Sequence, residues 1–373
     1  MNVPKLRFKE FNDEYNALKL SDVAELTSSK RIYLSDYTDN GIPFYRGKEI
    51  SELKLNKPVS DLLYISDEKY KEIEAKYGVP KENDILVTGV GTLGNIYRIP
   101  NNNKFYFKDG NLIWLKNIKQ NSEYLEYNLE FNKKKLLDSA IGSTQKALTI
   151  AGLNKLSFFY PSTSEQSKVA RTMQLIDIKI NLQSKKIEDL KLFKLSKYSS
   201  VFSKSNNKIK LSDICIIEKG KQINSDLLIE KGNYYMLNGG ILPSGYLNEY
   251  NTNENTITIS EGGNSCGYVN FNKTKFWCGG HCYKIISSSV NSSYLYHLLK
   301  YNEKIIMDLR VGSGLPNIQK KDLEALKLSI HKNDEQLKIG ILFDTFDKKI
   351  NLETNKLNKF KELKKALMQV MFV

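Results

Sequence analysis

The sequence predicts an α+β chain: two similar mixed α/β domains, each followed by a long helix, arising from one internal duplication. Three observations predict it. Residues 141–202 align with 311–372 without a gap, at a constant offset of 170. Each copy ends in a segment whose apolar residues are spaced alternately by four and three. Ahead of each such segment lie short β-like runs separated by Gly, Asn and Pro. A period near 170 residues is far too long for a solenoid, so the repeat is a duplicated domain.

The duplication is read residue by residue. Gly142-Ser143 matches Gly312-Ser313, Leu153 and Leu156 match Leu323 and Leu326, and Glu165-Gln166 matches Glu335-Gln336. Lys179-Ile-Asn-Leu182 matches Lys349-Ile-Asn-Leu352, while Lys191, Lys194 and Phe202 match Lys361, Lys364 and Phe372. Upstream, Leu20-Ser-Asp22 corresponds to Leu211-Ser-Asp213 and Asp84-Ile-Leu-Val-Thr88 to Thr256-Ile-Thr-Ile-Ser260, with small gaps. Gly110 corresponds to Gly280.

The long segments read as helices. Val169, Met173, Ile176, Ile180, Gln183, Ile187, Leu190 and Lys194 form one seam. Ile339, Phe343, Phe346, Ile350, Glu353, Leu357, Phe360 and Lys364 repeat its spacing. This is a coiled-coil pattern, and neither segment contains Pro. Two such seams in one chain can bury each other. Gln183 and Glu353 are equivalent polar seam positions, which either fix register or mark a splay. Ser162-Thr-Ser-Glu165 resembles a capping box; the second copy has Lys332 in the cap position, leaving Asn333 or Asp334 as its cap. From residue 165 to 202 a helix extends about 57 Å, between one and two turns of B-DNA at about 34 Å each.

The β-like runs include Asp84-Ile-Leu-Val-Thr88, Leu112-Ile-Trp-Leu115 and Thr256-Ile-Thr-Ile259. Gly89-Val-Gly91-Thr-Leu-Gly94 spells the dinucleotide fingerprint, with Asp109 near the ribose-binding position. That site needs a helix to begin at the glycines, so that its N-terminus meets the pyrophosphate. Here the strand-like Asn95-Ile-Tyr-Arg-Ile-Pro100 follows, and the second copy has Gly262-Gly-Asn-Ser-Cys-Gly267 with different spacing. Both read as tight turns between strands. Cys266, Cys278, His281 and Cys282 lack paired-ligand spacing, and Lys108, Asn111 and Leu112 stand opposite the last three in the first copy. No metal site is expected. With His281, His297 and His331 as the chain's three histidines, and no phosphate loop or zincin helix, no catalytic residue is nominated.

The bulk numbers point the same way. The chain has 373 residues, enough for two ordinary domains, and 40 % hydrophobic residues, which argues against disorder. Its net charge of +14 favours a polyanionic partner, because neutralised phosphates release counterions. The charged opening, Met1-Asn-Val-Pro-Lys-Leu-Arg-Phe-Lys-Glu10, is no signal peptide, and no apolar run approaches a membrane span. Four cysteines, Cys215, Cys266, Cys278 and Cys282, fit a reduced, cytoplasmic protein. Candidate nucleic-acid contacts crowd the turns: Arg46, Lys48, Thr88, Thr92 and Lys108 in the first copy, and Lys219, Lys221, Gln222, Ser260, Asn264, Ser265 and His281 in the second. Long basic side chains reach phosphates, and Asn, Gln, Arg and Ser/Thr read base edges.

The layout resembles the specificity subunit of a type I restriction–modification system, over nearly the whole chain. The resemblance rests on the helix entry at Pro161 and Glu165-Gln166, the equivalent Glu335-Gln336, and the opening Val3-Pro-Lys-Leu-Arg-Phe8. It rests also on Gly142-Ser-Thr-Gln145 and Gly312-Ser-Gly-Leu-Pro316 ahead of the helices, and on the ending Leu363-Lys-Lys-Ala-Leu-Met-Gln-Val-Met-Phe372. The sequence departs from the family pattern where His331 replaces a proline, where Tyr15 stands for a tryptophan, and in the degraded Lys197-Tyr-Ser-Ser-Val-Phe202.

The resemblance implies two target-recognition domains, 1–160 and 205–331, and two conserved spacer helices, 161–204 and 332–373, antiparallel and related by a pseudo-two-fold axis. Each domain would read half of a bipartite double-stranded DNA site. The helices would set the spacer and dock two methylation subunits through Glu165, Gln166, Val169, Ile176, Ile180, Ile187 and Leu190, and through Glu335, Gln336, Ile339, Phe346, Ile350, Leu357 and Phe360. S-adenosylmethionine, ATP and Mg would belong to those subunits and to motor–nuclease subunits, leaving this chain without cofactor or catalysis. The rival readings are a nucleic-acid-modifying enzyme with an unrecognised active site, a structural coiled-coil adaptor, and the recognition subunit of a differently organised restriction system.

Overall fold

The computed structural model describes residues 3–373 apart from positions 56, 206, 313 and 315. Ser313 and Leu315 of the second Gly-Ser stretch therefore lie outside the described residues. The chain forms two compact units, Met1–Leu182 with Leu357–Val373, and Gln183–Lys356. Each unit takes roughly half of each long helix, because each recognition fold packs on the helix ends nearest to it.

The first unit is built on an antiparallel four-stranded sheet in the order Glu25–Thr27, Leu112–Lys116, Ile85–Thr88, Ile96–Arg98. A smaller sheet joins Tyr37–Thr38, Leu63–Ile65, Ile42–Tyr45 and Tyr106–Phe107, the last pair parallel. The central run Ile-Leu-Val-Thr is buried at every position because it serves two cores. Alternate side chains of a strand point to opposite faces. Ile85 and Val87 therefore join Tyr124, Leu125 and Leu129 of the helix Ser122–Phe131, whereas Leu86 joins Ile50, Phe107 and Trp114. A two-stranded ribbon, Asn16–Lys19 with Ser157–Tyr160, closes the fold beside the helix entry.

The second unit repeats the plan. Its four-stranded sheet runs Cys215–Lys219, Cys282–Ser288, Thr256–Ser260, Val269–Asn272. Gly245–Leu247, Tyr234–Leu237 and Trp277–Cys278 form the smaller sheet, again with a parallel last pair. The ribbon Asn207–Lys210 with Lys327–Ile330 and the helix Ser292–Tyr301 occupy the equivalent places. The expected α+β class and its duplication are thus both present.

The seams become the long helices Thr163–Phe202 and Asn333–Met371. Every seam position of either helix is buried or half-buried. A 3.5-residue period keeps them on one side. Within each unit the pairing is antiparallel. In the second unit Gln183 meets Glu353, Lys194 meets Asp347, and the Tyr198 and Phe343 rings lie 4.3 Å apart, so partner numbers fall as helix numbers rise. In the first unit Lys364 donates to Asp177 at 2.6 Å, which in turn accepts from the Tyr127 hydroxyl at 2.8 Å. Lys364–Asp177 and Lys194–Asp347 are the same pair used twice, as self-complementary pairing of one segment with its copy requires.

The choice left open at Gln183 and Glu353 falls to a specific polar contact. Gln183 Nε2 donates to Glu353 Oε2 at 2.7 Å and to its backbone carbonyl at 3.0 Å, and Lys186 Nζ lies 2.8 Å from Oε1. Lys186 and Gln183 together hold the Glu353 carboxyl down at about 2. A depressed carboxylate adds stability above its unfolded pKa, about 4.3, and loses it as the pH falls toward the folded value. The second unit should therefore weaken between about pH 4.5 and pH 2. Glu353→Gln should flatten that limb when urea midpoints are measured across the range, and an unchanged slope would contradict the assignment.

Both helix starts differ from expectation. Ser162 caps the first, its Oγ accepting from the Glu165 N–H at 3.4 Å. The Glu165 carboxylate, however, does not turn back to the cap. It accepts two hydrogen bonds from Arg7, both 2.8 Å, and one from Tyr15 at 3.0 Å, so the capping box is half formed. In the second helix neither Asn333 nor Asp334 is the cap: both lie in the first turn, and the backbone carbonyl of Lys332 accepts from Gln336. Gln336 Nε2 then satisfies the His331 carbonyl at 3.0 Å, as Gln166 Nε2 satisfies the Pro161 carbonyl at 2.9 Å. The His-for-Pro departure is tolerated because this bond uses only the backbone at that position.

Candidate nucleic-acid interface

In the first unit the glycine run Gly89–Gly94 is the turn of a hairpin between Ile85–Thr88 and Ile96–Arg98, and no helix starts there. Gly91 and Gly94 have φ of +77° and +68°, a conformation that favours glycine. The Thr88 hydroxyl donates to the Thr92 carbonyl and accepts from the Asn95 N–H at 2.9 Å. Asn95 Nδ2 in turn donates to Ser51 on the helix Gly47–Lys54. That helix brings Arg46 and Lys48 to the turn, and the Lys108 N–H donates to the Tyr45 carbonyl beside them at 2.9 Å. All five first-copy candidates thus lie on segments that converge.

Their exposure differs. Thr88 is fully buried and shapes the turn from within, whereas Thr92 and Lys48 are exposed. Arg46 is committed to the buried Glu49 carboxylate at 2.6 Å, which raises its pKa through that hydrogen bond. Lys48 is raised likewise by Asp61 at 2.8 Å. A DNA phosphate can compete for Lys48 more readily than for Arg46, because an exposed pair contributes little.

In the second unit three segments converge in the same way. Gly220 N–H donates to the Cys282 carbonyl and Lys221 N–H to the Cys278 carbonyl, joining residues 219–222 to the turn Gly279–His281. Glu261 N–H donates to the His281 carbonyl at 2.9 Å, which adds the Gly-rich turn that follows Thr256–Ser260. Gln222 lies against Gly280, and Asn238 Oδ1 accepts from the His281 N–H at 3.1 Å. Ser260 is buried, its hydroxyl bonded to the Gly239 carbonyl at 2.6 Å, so like Thr88 it works on turn shape. Lys219, Lys221, Gln222, Asn264 and His281 are exposed, and Ser265 is half-buried.

Glu261 was absent from the sequence-level candidates. Its Oε1 accepts from Lys219 Nζ at 2.6 Å and from the Tyr283 hydroxyl at 3.2 Å. The available signal was its place directly before Gly262-Gly263. Cys278 and Cys266 donate their thiols to the carbonyls of Cys282 and Glu261, at 3.9 and 3.0 Å. Among the described residues no group of three His, Cys, Asp or Glu side chains is placed to hold a metal ion, and no helix is long and apolar enough to cross a membrane.

Of the residues expected to form the spacer and dock other subunits, Glu335 is exposed, and Ile180, Leu190, Ile339, Phe346, Ile350, Leu357 and Phe360 are half-buried. Glu165, Gln166, Val169, Ile176, Ile187 and Gln336 are buried by this chain's own contacts, so they hold the helices to the units. Val169, Ile176 and Ile187 are buried as seam positions, and Glu165, Gln166 and Gln336 by the contacts at the helix starts. The exposed apolar side chains of the long helices include Leu175, Ile178, Leu182, Leu192, Ile341 and Leu352.

Comparison with known proteins agrees with this architecture. The model of the type I restriction modification DNA specificity domain matches twice, at residues 12–192 and 204–362. A Mycoplasma pneumoniae protein named as a type I specificity subunit is 34% identical over 144 residues, 38% of this chain and 38% of that protein. One from Methanocaldococcus jannaschii is 23% identical over 99% of this chain and 95% of its own length. The first relatives are therefore matched over little more than a third of their length. The S subunit of a type I restriction–modification system from M. genitalium has the same fold, with a TM-score of 0.69 at 19% identity, covering 100% of this chain and 99% of that one. A chain from a type I system studied for complex assembly and conformational transition gives 0.60 at 15% identity, covering 96% and 97%. With two family matches that together span most of its length, the chain belongs to the type I restriction–modification specificity family and carries two DNA specificity domains.

Proposed function

We propose that this chain is the DNA-reading subunit of a type I restriction–modification complex in the cytoplasm. Residues 1–160 and 205–331 each read one half of a bipartite site, and the helices within 161–204 and 332–373 set the unread spacer. One observation carries the reading: two domains with the same backbone plan present different side chains on the same convergent turns. That is the arrangement needed to address two unlike half-sites from one frame. The net charge of +14 supplies the sequence-independent attraction to phosphates.

Two methylation subunits dock on the outer faces of the long helices, where Leu175, Ile178, Leu182, Leu192, Ile341 and Leu352 are exposed. Those subunits supply adenine methylation from S-adenosylmethionine, and motor–nuclease subunits supply ATP- and Mg-dependent cleavage. The present chain orients them on DNA and performs no bond chemistry.

Co-expression with the cognate methylation subunit, followed by mapping of modified adenines, tests this. A bipartite motif with a fixed unread spacer is expected. DNA cutting or methylation by the purified chain alone would favour an enzyme instead. Absent or salt-insensitive DNA binding by the complex would favour a structural adaptor.

A further inference from the structure

The two copies share a backbone frame at one place where their side chains differ in charge. In the first unit the Gly89 N–H donates to the Asn111 carbonyl at 2.8 Å, and the Gly89 carbonyl accepts from Leu148 at 2.9 Å. In the second unit the Glu261 N–H donates to the His281 carbonyl at 2.9 Å, and the Glu261 carbonyl accepts from Ile318 at 2.8 Å. The adjacent strand ends complete the match, with Ser28 in the first copy where the second has Lys219. One frame thus carries Ser28, Gly89 and Asn111 in one domain and Lys219, Glu261 and His281 in the other.

Folding accounts for the bond from the core Tyr283 hydroxyl to Glu261, but not for Lys219 and His281. Lys219 and His281 are more than half exposed, and an exposed ion pair adds little stability. Glu261 Oε2 is buried and has no hydrogen-bond partner among the described residues. Such a group in a folded protein calls for an explanation, since a buried acceptor normally finds a donor. The His281 imidazole faces it, with Nδ1 3.8 Å away. The ring is 63% exposed, so it has room to turn and bring Nδ1–H onto Oε2. The backbone beneath it is held firmly, by Asn238 Oδ1 on the His281 N–H and by the Glu261 N–H on the His281 carbonyl.

We infer that Lys219, Glu261 and His281 form a specificity-determining contact in the second recognition domain, in which His281 meets a nucleobase edge, Lys219 meets the flanking phosphate, and Glu261 positions both. The inference rests on the DNA-reading function proposed above and names residues for one half-site. Glu261 is a positioning residue. Bound DNA supplies the phosphate that draws Lys219 off Oε1, and His281 then secures the carboxylate through Oε2. The first copy has neither charge at this place, so its half-site is read without such a contact.

The test maps modified adenines and measures DNA affinity for the complex carrying wild-type chain, His281→Asn, Glu261→Gln or Lys219→Ala. His281→Asn installs the residue that the first copy carries on the same backbone turn, so the fold accommodates it. His281→Asn and Glu261→Gln should each relax one base position by about tenfold, in one half-site only, with the other half-site and the spacer unchanged. Glu261→Asp should restore part of the discrimination, which a merely structural role for the side chain would not predict. Lys219→Ala should weaken binding to all sequences alike and reduce the salt slope by about one. A wild-type bipartite motif that His281→Asn and Glu261→Gln leave unaltered overturns this inference alone. A wild-type complex with no bipartite motif overturns it together with the proposed function.

Discussion

Arg7→Ala is expected to destabilise the first unit by about 3–5 kcal/mol, the cost of leaving a buried charge without its partner. The Glu165 carboxylate is 1% exposed and the Arg7 side chain 15%, so this is no surface pair of about 0–1 kcal/mol. Arg7 meets both carboxylate oxygens at 2.8 Å, and Tyr15, itself buried, adds a third hydrogen bond. Arg7→Lys should recover little, because an ammonium cannot reproduce the two parallel donors of a guanidinium. A double change to apolar residues, Arg7→Met with Glu165→Leu, should cost less than Arg7→Ala alone. Urea unfolding followed by circular dichroism measures all three. A loss below about 1 kcal/mol for Arg7→Ala would show that water reaches the carboxylate and that the N-terminal segment is loosely held. The same segment is tied to the end of the second long helix by the Leu6 N–H on the Val370 carbonyl at 2.8 Å, so its release should also loosen Met371 and Phe372 in the core.

Removing residues 180–186 and 350–356 together is expected to shorten the unread spacer while leaving both half-site sequences alone. The two segments are matched: they begin with the same Ile-Asn-Leu and are centred on Gln183 and Glu353, which bond to each other. Seven residues are one seam repeat, so the apolar positions on either side remain on one face. The helix path loses about 10 Å at 1.5 Å per residue, or roughly three base pairs at about 34 Å per ten. Adenine-methylation mapping reads the spacer directly. A stably folded deletion chain with an unchanged spacer would remove the helices as the ruler. Loss of the Gln183–Glu353 contact in this variant should also abolish the acid limb assigned to Glu353, a separate check on the same segment.

Much of this architecture was legible in the order of residues. The seam from Val169 to Lys194 and its copy came out buried or half-buried throughout, because helical periodicity is a local property that needs no knowledge of the partner. The turn at Gly89–Gly94 was legible for a similar reason: strand-like residues on both sides leave no room for a helix start. The helix ends were less legible. Glu165 reads as half of a capping box from its spacing to Ser162, but a guanidinium 158 positions away outcompetes a backbone N–H. Lys332 caps through its backbone, which no side-chain preference reveals.

The candidate site divides along the same line. Residue types and Gly-rich turns marked the convergent segments in both copies, but not which side chains face outward. Thr88 and Ser260 are ordinary hydroxyl candidates in sequence and buried turn-builders in the fold. Glu261 gains its partners Lys219 and His281 only through tertiary pairing. Duplication, helix length and seam register belong to the linear sequence, since each depends on spacing along one segment. The pairing of turns, the burial of each polar group and the ion pairs that link distant segments were decided only by tertiary packing, which sets distances that spacing does not encode.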